Sequence, residues 1–341
     1  MMNFVSFPNL NIGPFFMDPV CFNFFGKDIM WYGIIVTSAI MCGIMYVFRR
    51  AKEEGLSEDH VYDYAFIVVA SAIACARLYY VVFDPDPHYN SFLDVIAIWE
   101  GGLAIYGGII GGAIAVFAVS RWRKVYFWRF ADMICPAVML GQVIGRWGNY
   151  VNCEAYGSVT TFEFFFWSFD ISASALKNPV LMTVNGLLAQ PTFLYESLWN
   201  AVGFVLIVFV INKRRKFAGM NAFFYFSWYG FGRMFIEGLR TDSLYLIGNN
   251  TLKISQLLAA LTFLGFTTAL ILCSIKAKKH PCDLTASVYY AAPQKSTEGV
   301  ASDDSGSEQN ASTDQGLDGS EQSTVFVSKN DADQSNDNSE E

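Results

Sequence analysis

The sequence predicts an all-α integral membrane protein of seven transmembrane helices, with the N-terminus outside, the C-terminus cytoplasmic and a small extracytoplasmic arm. Three observations carry that prediction. Hydrophobic residues make up 53% of the 341, aromatics 16%, and the mean hydropathy is +0.31, a membrane-protein composition rather than that of two soluble domains. Apolar runs long enough to cross a hydrocarbon core of roughly 30 Å occur at Ile29–Phe48, Val61–Val82, Val95–Ser120, Phe130–Trp147, Thr192–Ile211, Met220–Leu239 and Ile254–Ile275. Basic residues cluster in alternate connections: Arg49, Arg50 and Lys52; Arg121, Arg123, Lys124 and Arg129; Lys213, Arg214, Arg215 and Lys216; Lys276, Lys278 and Lys279. The opposite connections hold only Lys27, Lys177, Arg240 and Lys253. Cytoplasmic loops carry the Lys/Arg excess, so the N-terminus and the 148–191 segment are expected outside.

Along the chain, the residues before Asp28 are aromatic (Phe15, Phe16, Phe22, Phe24, Phe25) and lack the basic start of a signal peptide, which suits an interfacial lead-in. In the third span, glycine pairs at 101/102, 107/108 and 111/112 surround Tyr106, a pattern that serves close helix packing and ligand approach alike. The Ser158–Gln190 segment is too long for a tight connection and rich in Phe and Trp; it is expected to form the arm, about 158–190, on the outer membrane face. Residues 1–280 are expected to form the membrane-embedded domain and residues 281–341 a disordered acidic cytoplasmic tail. That tail has thirteen acidic residues against Lys295 and Lys329, so it carries −11 of the total −8 and the rest of the chain +3. The acidic balance therefore belongs to the tail and supports no nucleic-acid partner. The seven cysteines are scattered, without a C-x-x-C pair or a His/Cys cluster at ligand spacing, so neither a disulfide framework nor a metal site is expected. Cys153 has no His nearby in sequence to deprotonate it and is expected to pack.

Charge at membrane depth marks the candidate site. An ionised side chain there costs roughly 2.5 to 3.5 kcal/mol on insertion scales, so Arg and Glu beside a span call for a function. The stretch from Gly145 to Gly157 combines Arg146, Asn149, Asn152 and Glu154 with Gly145, Gly148 and Gly157: donors able to face a phosphate, and glycines that let a ligand approach the backbone. A second constellation lies in the sixth span, where Tyr229, Arg233 and Glu237 follow at i,i+4 spacing on one helix face and Arg240 comes three residues later.

The order Gly-Arg-x-Gly-Asn-aromatic-x-Asn-x-Glu-x-x-Gly over residues 145–157 resembles the signature of the prolipoprotein diacylglyceryl transferase family. Tyr229-Gly230-x-x-Arg233-x-x-x-Glu237, Trp31-Tyr32-Gly33 and Pro191-Thr192-Phe193-Leu194-Tyr195-Glu196 extend the resemblance over Asp28 to Ile275. One departure stands out. Where many members carry His-Gly-Gly, this chain has Tyr106-Gly107-Gly108, and its only histidines, His60, His88 and His280, fall in predicted loops.

The resemblance implies a bacterial plasma-membrane enzyme that moves the diacylglyceryl group of phosphatidylglycerol onto the thiol of a lipobox cysteine in a prolipoprotein signal peptide, releasing glycerol phosphate, without cofactor or metal. It also implies Arg146 and Arg233 as phosphate-neutralising catalytic groups, with Glu237 holding Arg233. Asn149, Asn152, Glu154, Gly157, Tyr32, Tyr229 and Arg240 would bind substrate, and Tyr106 would act near the thiol, although an ordinary phenol with a pKa of ~10 is a poor base at neutral pH. Two other classes accommodate intramembrane charge: a transporter, whose usual sign is an internal repeat not evident in this chain, and a protein that binds anionic head groups without chemistry.

Overall fold

The computed structural model describes residues 3–84, 89, 91–98, 101–243, 245 and 252–279. The tail expected over 281–341, together with His88 and His280, lies outside the described residues. Among those described, six helical segments are long and apolar enough to cross a membrane: α1 (Trp31–Glu53), α2 (Glu58–Phe83), α4 (Ile105–Trp122), α5 (Phe127–Asn152), the Thr192–Arg214 segment that begins with α7 (Thr192–Leu206), and α9 (Ile254–Lys279). Met220–Leu239 forms α8, a helix of 20 residues that carries Asn221, Arg233 and Glu237. The chain is thus mostly helical and built to lie in a membrane.

The third expected span is shorter than its apolar run. A separate short helix, α3 (Phe92–Ile96), comes first, and α4 starts only at Ile105. Gly101 and Gly102, with φ of 91° and 69°, occupy left-handed backbone that interrupts a helix, and Arg77 of α2 holds the turn. Its guanidinium donates to the carbonyls of Asp94 (2.6 Å), Val95 (2.8 Å), Gly101 (2.8 Å) and Gly102 (3.2 Å), satisfying backbone that no helix satisfies. Beyond this turn, Gly107 and Gly111 bring α4 against α2, where a methyl group at either position would overlap Cys75. The expected helix starting at Ile29 begins instead at Trp31, because strand pairing persists to Met30. His60, expected in a loop, sits in the first turn of α2.

The aromatic lead-in and the arm fold together as strands. β1 (Asn3–Phe7) and β2 (Ile12–Met17) pair with each other, and β1 also pairs with β7 (Met182–Val184), giving the order β2-β1-β7-β8 with β8 at Leu187–Ala189. Val5 stands opposite Val184, and Asn185-Gly186 supplies the left-handed pair that a tight hairpin between β7 and β8 needs. Val5, Met182, Val184 and Ala189 bury their side chains on Phe193 of α7. Two hairpins flank this sheet: β3 (Val20–Phe24) with β4 (Lys27–Met30), and β5 (Thr161–Phe164) with β6 (Trp167–Asp170); the latter is followed by the short α6 (Ser172–Ala175).

Helix α5 runs through the middle of the bundle. One face packs Phe130, Met133 and Ala137 with Val47, Val61, Tyr64, Val116 and Val119 of α1, α2 and α4; the other packs Ala131, Cys135 and Met139 with Ala222 and Tyr225 of α8 and with Ile207, which follows α7. At one end of the bundle a charge knot ties the helices. Glu54, just past α1, accepts from Arg215 at 2.8 Å and pairs with Arg50 at 2.9 Å, and Arg129 approaches it at 3.6 Å. Asp132 accepts from the backbone N–H groups of Gly219 (2.7 Å) and Ala222 (3.0 Å), capping the start of α8 as a buried carboxylate at a helix N-terminus should.

Burial raises the Glu54 pKa, but the hydrogen bond and charge of Arg215, with Arg50 and Arg129, outweigh it and hold the carboxyl below its usual range. A depressed carboxylate stabilises the fold above its unfolded pKa of roughly 4.3 and loses that contribution as pH falls through the folded value. Glu54→Gln is therefore expected to lower the unfolding temperature of detergent-solubilised protein at pH 7, with its gap to the parent closing as pH drops below about 4. A gap that stays constant with pH would show that the charge of Glu54 does not carry this stability.

Candidate active site

At the opposite end of the bundle from Glu54, three helices converge their polar residues. Helices α7 and α8 are set in register by two tryptophans: Trp199 and Trp228 stack at 4.2 Å, and each indole N–H donates to the other's carbonyl, at 3.0 and 2.9 Å. Each ring lies where the partner helix has a glycine, Trp199 against Gly232 and Trp228 against Gly203, so a Cβ at either glycine would collide with an indole. This fit places Glu196, one turn before Trp199, beside Arg233, the residue after Gly232.

Glu196 is the centre of the site. It is 2% exposed, and its two oxygens serve two different guanidiniums: Arg146 of α5 donates to Oε1 at 2.6 Å and Arg233 of α8 donates to Oε2 at 3.0 Å. Arg233 also forms an ion pair with Oε2 of Glu237, one turn on, at 2.5 Å. On the other side Arg146 donates to Oδ1 of Asn149 (3.3 Å), and the amides of Asn149 (2.9 Å) and Asn152 (3.4 Å) donate to Oε1 of Glu154. Glu154 can fold back because α5 ends on two left-handed residues, Cys153 (φ 54°) and Ala155 (φ 56°). A continuous network thus runs Glu237–Arg233–Glu196–Arg146–Asn149–Glu154, joining two constellations that lie about eighty residues apart in sequence.

Other expected site residues sit around this network in different ways. The Tyr32 ring of α1 lies against Gly148, where any side chain would overlap it. Tyr229 stacks on Tyr225 at 6.0 Å and stands within electrostatic reach of Glu196, Arg233 and Arg146. Gly157 is a junction: its N–H and C=O both bond Gln190 at 2.9 Å, the next N–H bonds Leu239, and a Cβ there would press on Thr192 and Gln190. Arg240 lies outside the Glu196 cluster, its fork closed on Asp242 at 3.0 and 2.7 Å. Burial raises the Asp242 pKa, but the Arg240 hydrogen bonds prevail and hold it below the usual carboxylate range. Tyr106 opens α4, is 37% exposed, and takes no part in the hydrogen bonds that join the network among the described residues. Burial pushes the Cys153 thiol up, in keeping with a packing role.

Glu196 stands outside the two polar constellations visible in the sequence, yet it holds the two arginines together. The available signal was a carboxylate five residues into an apolar run, which membrane burial makes costly unless it is paired. Next to this cluster, α1, α2 and α5 leave a slot of about 390 Å³. Val36, Gly43, Val68, Ile134, Gln142 and Gly145 are among its lining, and Gly145 adjoins Arg146. Cationic forks above an apolar slot form a site for an amphipathic anion.

These features define a helical membrane protein with a buried cluster of guanidinium and carboxylate groups at one end of its bundle. The family model for prolipoprotein diacylglyceryl transferase matches residues 19–272. Proteins named phosphatidylglycerol–prolipoprotein diacylglyceryl transferase align over most of their length: that of Enterococcus faecalis is 41% identical over 73% of this chain and 88% of its own. That of Limosilactobacillus reuteri is 39% identical over 77% and 93%, and that of Finegoldia magna 40% over 77% and 97%. The chain belongs to the prolipoprotein diacylglyceryl transferase family, and it is a transferase.

Removing Glu196 would leave two guanidiniums facing each other, with Glu237 as the remaining carboxylate of the cluster. Breaking a buried pair costs about 3–5 kcal/mol, whereas removing both partners restores balance. Glu196→Ala should thus destabilise the detergent-solubilised protein strongly, and Glu196→Ala combined with Arg146→Ala should recover part of the loss in thermal unfolding. Strictly additive losses would show that the contact carries no energetic coupling.

Proposed function

We propose that this chain transfers the diacylglyceryl group of phosphatidylglycerol to the thiol of a lipobox cysteine in a prolipoprotein signal peptide, at the outer face of a bacterial plasma membrane. The observation that carries this reading is the pair of guanidiniums, Arg146 and Arg233, brought to one place by Glu196 above an apolar slot. The phosphate is held by the remaining N–H groups of the two forks and the acyl chains lie in apolar surroundings below. The sulfur attacks the glycerol carbon bearing the phosphate, the C–O bond breaks, and its electron pair leaves on the phosphate oxygen. The thiol proton ends on that phosphate, so glycerol phosphate is released and no external acid or base is consumed.

Charge-assisted, bidentate hydrogen bonds stabilise the charge that develops on the departing oxygen, and more strongly in a low-dielectric site than in water. Glu237 keeps Arg233 aimed, while Asn149, Asn152 and Glu154 orient the head group around Arg146, with Tyr32, Tyr229, Gly157 and Arg240 completing the wall. Tyr106, at the start of α4, is assigned to the thiol side, where its hydroxyl would hydrogen-bond the sulfur or the phosphate. Removing a preorganised charge-stabilising donor costs about 10² to 10³ in rate. Arg146→Ala and Arg233→Ala should therefore lose diacylglyceryl transfer to a lipobox peptide, read as a mass increment per amount of folded protein, by more than their loss of stability accounts for. Lys should restore only part of it, because an ammonium lacks the planar fork. Parental rates in both Ala variants would remove the arginines from the chemistry.

In this reading α8 is the seventh crossing. Twenty residues at 1.5 Å each span about 30 Å, and pairing of Arg233 with Glu196 and Glu237 lowers the penalty for their charge. The basic clusters all lie at the Glu54 end, so that end faces the cytoplasm and the active site faces outward. A single cysteine placed at Lys177, in a background without the native cysteines, should react with an impermeant thiol reagent on intact cells, and one placed at Lys278 should not. The reverse pattern would invert the topology.

A further inference from the structure

Lys253, just before α9, stands apart from the four basic clusters and is only 1% exposed. A buried ammonium is costly unless its donors are met. Its Nζ donates to the carbonyls of Glu237 (3.0 Å) and Arg240 (2.9 Å) and pairs with Oε2 of Glu163 at 3.1 Å, so each of its three N–H groups has a partner. Gln256, fully buried in the first turn of α9, joins the same elements without charge. Its Nε2 donates to the carbonyls of Glu163 (3.1 Å) and Met234 (2.9 Å), and its Oε1 accepts from the N–H of Phe165 (2.8 Å). A neutral carboxamide thus suffices to dock the β5–β6 hairpin on α8, and the charge of Lys253 needs a further reason.

The direction of α8 supplies that reason. Arg233 and Glu237 lie in its last two turns, so the guanidinium meant for a phosphate stands near the end of the helix whose macrodipole is negative, by roughly half an elementary charge. The helix stops at Leu239, with Arg240 extended (φ −70°, ψ 139°), and the carbonyls of its last turn need donors from elsewhere. That of Leu239 accepts from the N–H of Ser158 at 2.7 Å, and those of Glu237 and Arg240 accept from Lys253. A cation bound to these carbonyls offsets the negative helix end beside the place where an anion is to be held. It also fixes the backbone of Glu237, whose carboxylate pairs with Arg233.

We propose that Lys253 is a positioning residue for the transfer: its ammonium, bound to the last carbonyls of α8, offsets the negative end of that helix and fixes Glu237, so that Arg233 meets the departing phosphate in place and with its charge undiminished. The proposal rests on the transferase reading. It assigns the effect to the charge of Lys253 rather than to its bulk, and the two can be measured apart.

The test takes kcat and KM for phosphatidylglycerol with a lipobox peptide as acceptor, using the full-length protein in mixed micelles and normalising to folded protein. Lys253→Met keeps most of the side chain and loses the charge, whereas Lys253→Arg keeps the charge and adds bulk. In Lys253→Met kcat should fall about five- to thirtyfold, the range for a buried charge at a helix end. Its KM should change by less than about twofold, because the interaction acts on the departing phosphate rather than on lipid binding. Lys253→Arg should recover much of the rate. Lys253→Gln, neutral but still a donor, should behave like Met and replaces it where Met does not fold; where Arg does not fold, the kcat–KM split in the neutral variants decides. Packing alone predicts the reverse order, since Met matches the volume of Lys more closely than Arg does. Parental kcat in the neutral variants overturns the proposal, as does folded Arg no better than Met, or a loss confined to KM. A parent that transfers no lipid overturns the transferase reading itself.

Discussion

The candidate site depends on one carboxylate shared by two guanidiniums. Arg146 and Arg233 come from helices that would repel each other at this distance in a low-dielectric surrounding, and Glu196 from a third helix makes their approach favourable. The ion triad therefore holds two cations where a doubly liganded anion can be met. With Glu237 included, its charges balance before substrate arrives, which keeps the cost of burial tolerable. An arriving phosphate would then compete with Glu196 for the same forks, so the guanidiniums are held in position yet retain N–H groups to offer.

The triad in turn needs its helices in one register. The reciprocal Trp199–Trp228 stack over Gly203 and Gly232 sets that register between α7 and α8 with shape and two hydrogen bonds, without using charge. At the far end, the Glu54 knot and the Asp132 cap on α8 tie the helix ends together, with both of these carboxylates given donors. Between the two ends the bundle is largely apolar, and α5 belongs to both of its cores. Most of the charged chemistry lies at the ends, and the polar side chains between them include Gln142 on Tyr225, the Ser227–Thr267 pair and the fully buried Asn200.

The family signature and the structure divide the work among its residues. Arg146, Asn149, Asn152 and Glu154 form one hydrogen-bonded chain, whereas Gly148 and Gly157 serve chiefly to let Tyr32 and the Gln190 strand come close. Tyr106 stands apart from that chain, on a helix whose glycines are occupied in packing against α2.

Local structure is what can be read directly from the residues. Apolar runs of the right length marked the helices, and i,i+4 spacing on α8 was enough to set Arg233 beside Glu237, because a helix brings those positions together whatever surrounds it. The break at Gly101-Gly102 was less legible, since an apolar glycine run reads the same in a helix as in a turn until Arg77 is seen clasping its carbonyls. Tertiary structure alone decided the pairing of Val5 with Val184, the meeting of α5, α7 and α8 at Glu196, and the slot beneath Arg146. The reason is physical: periodicity records which face of an element is buried, while its partner is chosen by the fit of side chains such as Trp199 and Gly232, far apart in the chain.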